Sequence, residues 1–557
     1  MKHLLMIIAA VFMCSIHSMA QSGEVKDAAK SVFKLTTYKA DGTVLAEGNG
    51  VFTAEDGIAI SALKPFLGAA RATITAENGK TAEVVRMLGA DELYDMAKFR
   101  VDGMKVKPLQ ISKTPAKTGD EVWLVMSGDK NVKPVKASVK SVETFMDKYS
   151  YYIFSMQTPD GSVGCPFVNS QGQVLGLMKP STTSTDIHAT DANYATDLHT
   201  TGFAINDPAL LQIGIPPALP NELDQAQLVL IMAEQVNDSV KLPAVTNDFI
   251  NAYPALIDGY SVLARMQVNS RNFKDAAKTM ETAIKKVENK ADAHAAYGKI
   301  IYDKLIYMTD VPYDDWTLDK AAEETNLAYQ INPLPTYQHQ QAQIIFAQGD
   351  YQKAYDTFIG LLDTPLRSPE LFYEASRCKT MLKAPQTEII SLLDSAINTT
   401  DTLRIREAAP YFLARAEAYN AADSFRQAVF DYTRYEILMD GRVNAPFYYV
   451  RAQTEIKARL YQQALSDMAA AITIAPKEPT YYAEMASLQL RVNLIDDALK
   501  TASACVELAP EYSDGYLLLG LAQVGKGDKT SALTNLEKAK ELGNPQAQPL
   551  IDKYSKE

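Results

Sequence analysis

The chain has 557 residues, more than one hydrophobic core organises, so it divides into several domains or into one domain plus a repeat array. Apolar residues make up 47% and charged residues 22%, the balance of an ordinary folded protein. The formal net charge of -12, with no basic cluster, argues against nucleic-acid binding, which depends on neutralising phosphates.

Lys2 and His3 precede an apolar stretch, Leu4 to Ile16, that is too short to span a bilayer, and Ser18-Met19-Ala20 supplies the small residues of a cleavage site. Residues 1–20 are therefore expected to be a signal peptide, with Gln21 opening an exported mature chain. Cys14 follows Phe12 and Met13 instead of the small residues that a lipid-attachment site needs. No later run approaches the ~20 apolar residues of a membrane helix, so the mature chain is expected to lack a transmembrane segment. Cys165, Cys378 and Cys505 then remain, an odd and widely spaced set that implies no disulfide framework. No zinc-ligand spacing occurs, and the sequence calls for no cofactor or metal.

From about Ser31 to Ile205 the pattern is β. Short alternating runs such as 32–35, 72–75 and 121–126 are separated by Asp41-Gly42, Asp56-Gly57, Asn78-Gly79 and Gln171-Gly172 turns, which predicts a barrel or sandwich. Pro208, Pro216, Pro217 and Pro220 then read as a semi-rigid connector, with Asn221 and Asp224 placed to cap a leading helix. Beyond it the chain repeats at 34 residues: Ala452, Ala486 and Gly520; Ala464, Ala498 and Ala532; Ala471, Cys505 and Ala539; Pro476 and Pro510. Small residues are needed where two antiparallel helices touch closely, and proline marks the exit from the second helix. These columns resemble the tetratricopeptide (TPR) repeat, and eight units cover about 250 to 545. The expected organisation is a signal peptide (1–20), a β-domain (28–207), a Pro-rich linker with a leading helix (208–249), and helical repeats (250–557).

Within the β-region, Gly48-Asn49-Gly50-Val51-Phe52, Asp56-Gly57-Ile58-Ala59-Ile60-Ser61, Tyr94-Asp95-Met96-Ala97 and Gly161-Ser162-Val163-Gly164-Cys165-Pro166-Phe167 stand in order. Together with Gly172, Val174, Gly176 and a closing Thr201-Gly202-Phe203-Ala204-Ile205, they resemble the trypsin-like serine proteases, specifically the HtrA-type group. The resemblance implies a multidomain α+β chain: a trypsin-like double β-barrel followed by an all-α TPR solenoid. It also implies where a catalytic triad would sit. The histidine place holds Lys64, the aspartate place keeps Asp95, and the nucleophile place holds Val163. Gly161, Ser162 and Gly164 are what remains of the oxyanion loop.

Acyl transfer needs a nucleophile, a base within reach and a group that orients the base. Valine has no attacking atom, no histidine lies between His17 and His188, and His188 and His199 come after the nucleophile loop. Ser162 is one residue out of register, and Cys165 reads as a small buried side chain. Lys64 is expected to pair with Asp95, and pairs such as Glu537 with Lys540 read as solvated helix faces. The reading is a non-enzymatic binding or scaffold protein of the cell envelope, taking a protein or peptide in the repeat groove. By resemblance, Glu417, Asn420, Tyr449, Gln453, Ile456 and Ser487 line that groove. The competing readings are an active serine endopeptidase whose repeats recruit substrate, and a spacer that binds nothing specific.

Overall fold

In the computed structural model, which describes residues 23–127, 133–146, 148–181 and 186–556, the β-region closes into two six-stranded antiparallel barrels. The expected leader lies outside the described residues. The first barrel contains β1 (Val32–Tyr38), β2 (Val44–Phe52), β3 (Ile58–Ser61), β4 (Arg71–Ala76), β5 (Thr81–Asp91) and β6 (Met96–Val101), in the order β1-β2-β3-β6-β5-β4. The second contains β7 (Glu121–Leu124), β8 (Val135–Phe145), β9 (Tyr149–Phe154), β10 (Pro166–Val168), β11 (Val174–Pro180) and β12 (Ile187–Asp191), in the order β10-β11-β12-β9-β8-β7.

Alternation decides which side chains enter each barrel. Phe33 and Leu35 of β1 point inward with Phe52, Phe66 and Phe99, and the Phe33 and Phe52 rings lie 4.7 Å apart. The glycine-rich strand β2 is dictated by this packing. A Cβ on Gly50 would stand 2.6 Å from the Phe33 ring and from the Ile60 carbonyl. In the second barrel Phe154 stacks on Phe167 at 3.9 Å beside buried Cys165. Val51, Ile60, Met96, Val125, Val168 and Leu177 form a separate cluster that joins the barrels.

Two expectations are corrected here. Thr201-Gly202-Phe203-Ala204-Ile205 forms turns and not a strand, with Phe203 exposed, because β12 has already closed the second barrel. The Pro-rich segment is not a connector but a strap on the first barrel. Asp207 caps the short helix Pro208–Leu211 through the amides of Ala209 and Leu210. The Gln212 carbonyl then accepts from Gly68, Gly214 donates to Ala69, and the Met87 backbone bonds both Pro216 and Ala218. Leu210, Ile213 and Ile215 enter the barrel core between these contacts. The apolar residues among the prolines were the signal for this packing.

The chain divides into two compact units, residues 1–300 and 301–557. In the first unit, helices Leu223–Val236 and Lys241–Ala252 bury Ala226, Val229, Leu230, Val245 and Phe249 in the same core as the first barrel. Arg86 of β5 pairs with Asp248 at 2.6 Å. Glu222, not Asn221, occupies the cap position of the Leu223 helix, and it makes no side-chain capping bond.

Helix pairs then recur from Asp258 to Glu541, eight among the described residues, and Ala547–Tyr554 follows them. Proline opens several first helices, as at Pro335, Pro369, Pro446 and Pro479, where its missing N–H costs nothing. Ala452, Ala486, Ala464, Ala498, Ala532, Ala471, Cys505 and Ala539 are all fully buried, as close helix packing requires. No helix among the described residues is long and apolar enough to cross a membrane.

Candidate functional site

Asp95 sits in the turn between β5 and β6, at a positive φ of 52° that aspartate tolerates better than most residues. Its neighbour Tyr94 stacks on Tyr194 at 3.6 Å, which pins the turn between the barrels. The buried carboxylate accepts the backbone N–H of Leu63 at 3.1 Å and of Lys64 at 3.0 Å through Oδ1.

The expected side-chain pair of Lys64 with Asp95 does not form. Lys64 is exposed, and among the described residues it makes no ion pair. Its backbone is what meets Asp95, because a 3-10 turn over Lys64–Phe66 follows β3 and buries Pro65 and Phe66 while leaving the lysine outside. The cation nearest the carboxylate is Lys179 of β11, with Nζ 3.8 Å from Oδ2. Lys179 was missed in the sequence because it reaches Asp95 only through the meeting of the two barrels. The one available signal was a lysine at the end of an otherwise apolar strand.

The loop before β10 carries Gly161, Ser162, Val163 and Gly164. Asn49 of β2 holds it in place: its Nδ2 donates to the carbonyls of both Gly161 and Val163 at 2.8 Å. Ser127 donates to the Asn49 Oδ1 at 2.5 Å, and Ser61 donates to the Asn49 carbonyl at 2.7 Å. Gly164 lies at φ +82°, and a Cβ there would sit 2.5 Å from the Asn49 carbonyl oxygen. Asn49 is thus a positioning residue for the loop; in the sequence it was only a letter in the glycine-rich strand.

Each candidate nucleophile and base has a definite place. Val163 is 41% exposed at the loop surface. Ser162 is fully buried and its hydroxyl donates to the Pro159 carbonyl at 2.6 Å, facing away from the loop surface. Cys165 is buried in the second barrel, and burial pushes its thiol up to about 12. His188 bonds the Tyr151 hydroxyl at 3.0 Å, and His199 bonds the Asp197 carbonyl at 2.7 Å. Among the described residues no group of three or more His, Cys, Asp or Glu side chains is placed to hold a metal ion.

In the second unit, two cavities open against helix Ala409–Ala421. One, of about 970 Å³, lies between it and helix Ala445–Lys457. The other, of about 630 Å³, lies between it and helix Pro369–Met381. Of the six expected groove residues, Glu417 and Asn420 line the larger cavity, and Glu417 lines both. Tyr449, Gln453, Ile456 and Ser487 line neither. Tyr449 packs on Tyr481 at 5.3 Å, and Ile456 packs against the cluster around Ala452 and Met468. Gln453 buries its Nε2 without an acceptor, and Ser487 is half-buried.

Two closed barrels with this loop and this aspartate turn define a trypsin-like peptidase fold, here followed by TPR-like helical repeats. Residues 47–177 match the family model of the trypsin-like peptidase domain, so the chain carries such a domain. Similar solved structures include a protease from M. tuberculosis in its active form, at 20% identity and a TM-score of 0.28, covering 32% of this chain and 82% of that one. The serine endoprotease from Yersinia pestis is 17% identical with a TM-score of 0.28, over 35% of this chain and 68% of that one. YrrB, a TPR protein with an unusual peptide-binding site, is 15% identical with a TM-score of 0.31, over 35% of this chain and 97% of that one. No curated protein matches the chain.

Proposed function

We propose that this is an exported binding or scaffold protein of the cell envelope, in which a peptidase-like domain without catalytic chemistry is joined to a helical array that holds a protein or peptide partner. One observation carries the non-catalytic part. The backbone N–H that tethers a residue to the Asp95 carboxylate belongs to Lys64, whose side chain is exposed, and the loop surface presents Val163. A hydroxyl at Ser162 does not replace the missing nucleophile, because it is buried and already donates to Pro159. Activation would need a base within hydrogen-bond reach, and Lys179 is engaged near Asp95. The 34-residue repeats and the cavities along their first helices support the binding part. The pattern of residues 1–20 supports export.

A fluorophosphonate probe, which reacts only with an activated serine, tests the first part on the full-length protein. No labelling is expected. Labelling or peptidase activity that Ser162→Ala abolishes would establish the competing endopeptidase reading. Affinity capture of the mature protein from its own envelope should recover a partner that an Ala421→Trp variant, which places a large ring at a residue lining both cavities, fails to retain. Intact-mass analysis should place Gln21 first; a mass that retains residues 1–20 rejects export by cleavage.

A further inference from the structure

The two cavities of the repeat array share Glu417 and Ala421, so they form adjoining parts of one groove. Its walls are largely apolar, with Leu413, Phe447 and Val450 in the larger cavity and Phe346, Ile389 and Leu393 in the smaller. The charged lining is unbalanced. Arg442 and Lys457 line the larger cavity, Arg377 lines the smaller, and Glu417 is the one carboxylate in either. Three cations against one carboxylate make the groove positive, on a chain whose formal net charge is -12.

Local carboxylates do not neutralise these cations. Arg442 approaches Asp440 at 3.6 Å, but Arg406 already holds both oxygens of Asp440, at 2.6 and 2.8 Å. Arg377 and Lys457 make no ion pair among the described residues. The Arg377 guanidinium lies 4.8 Å over the Phe346 ring, and Lys457 lies 5.4 Å from the Phe425 ring. All three residues are exposed, so their long stems cover apolar wall while their heads stay in water at the cavity mouths. Exposed charges of this kind add little affinity each, but their shared sign selects the partner and speeds its arrival. They also lie on both sides of helix Ala409–Ala421, so one terminal carboxylate could meet only part of the set, whereas spaced acidic side chains could meet all of it.

We infer that this groove takes a peptide segment whose acidic side chains meet Arg442 and Lys457 in one cavity and Arg377 in the other, with apolar side chains between them packed on Phe447 and Phe346. The inference deepens the reading of the repeats as a binding array and rests on it. The apolar side chains supply most of the affinity by leaving water, and the carboxylates set which segments bind.

The test is selection of a displayed random dodecapeptide library on the full-length protein, followed by fluorescence anisotropy with the best peptide. That peptide is synthesised with an amidated C terminus, so that only side-chain carboxylates are read. Selected peptides should carry aspartate or glutamate among apolar residues and few lysines or arginines. Arg442→Gln with Lys457→Gln should weaken binding about fivefold, as loss of exposed ion pairs does, and should flatten its dependence on salt. Glu417→Gln should tighten binding, because it removes the one opposing charge. All these positions are exposed, so the variants should keep their fold, which circular dichroism melting checks. Two results overturn the acidic-segment inference and leave the groove reading standing: selection of basic or uncharged peptides that lose binding with Ala421→Trp, or acidic peptides that lose binding with Ala421→Trp but bind the charge variants as they bind native protein. Failure to select any peptide sensitive to Ala421→Trp overturns both.

Discussion

Asp95 accepts the backbone N–H of Lys64 at 3.0 Å while the Lys64 side chain stays exposed. The same carboxylate holds the Lys179 ammonium at 3.8 Å on its other oxygen. One oxygen of Asp95 therefore holds backbone amides of the turn after β3, and the other faces a lysine that comes from the second barrel.

This geometry sets an order for restoring chemistry. Val163→Ser alone should give no fluorophosphonate labelling, since no base activates the hydroxyl. Val163→Ser with Lys64→His should give at most a trace, because Lys179 competes for Asp95. Adding Lys179→Ser should raise labelling by about 10²-fold over the single variant, the lower end of what a positioned base contributes. Equal labelling of the single and triple variants would show that the register assigned to Lys64 is wrong.

Asn49 ties the loop to the first barrel across 112 residues of chain through two carbonyls at 2.8 Å. Asn49→Ala removes the donor to both carbonyls and should destabilise the domain by about 1–3 kcal/mol. Hydrogen–deuterium exchange should rise first over residues 159–165. Unchanged exchange there would remove Asn49 from its positioning role.

The strap makes the segment after Asp207 part of the first barrel. Leu210→Ala should cost about 2–5 kcal/mol, because it opens a cavity in that core. A free connector would tolerate the change, so a urea midpoint equal to that of the native protein rejects the strap.

Glu455 supplies the pH dependence. It is 3% exposed, and burial, with Asp467 adding to it, pushes its carboxyl up to about 8. The folded repeats keep this proton while the unfolded chain releases it in the ordinary carboxylate range, so the folded state binds more protons between those limits. Stability therefore falls as the pH rises from about 5 to 8 and levels off above. The loss should be on the order of 4–5 kcal/mol. Glu455→Gln should melt at a higher temperature than native protein at pH 9 and with a smaller difference at pH 5. Parallel melting curves at the two pH values would disprove the buried acid.

Close helix contacts should also be sensitive to size. Ala486 is fully buried between helices, and Ala486→Leu should cost roughly 1–3 kcal/mol by overpacking, read from the helical signal on thermal melting. A melt unchanged from native protein would mean the helices do not touch there.

The sequence by itself determined the elements whose cause is local. Alternating runs and glycine turns specify strands, and the glycine-rich strand records the close approach of Phe33 to Gly50. Small residues at a 34-residue spacing specify helix pairs, because each pair has the same contact to make. The residue types at 64, 95 and 163 were equally plain. Their partners were not. Lys179 reaches Asp95 only after two barrels close and meet, and the strap forms only because Leu210, Ile213 and Ile215 find an open core beneath the prolines. In the same way Glu417 was legible as a first-helix residue, but stacking of its helix against two neighbours decided that it faces both cavities while Tyr449 and Ile456 face apolar clusters. Periodicity reports which face of an element is buried; what a side chain on that face meets depends on the elements that close over it, and those arrive from distant parts of the chain.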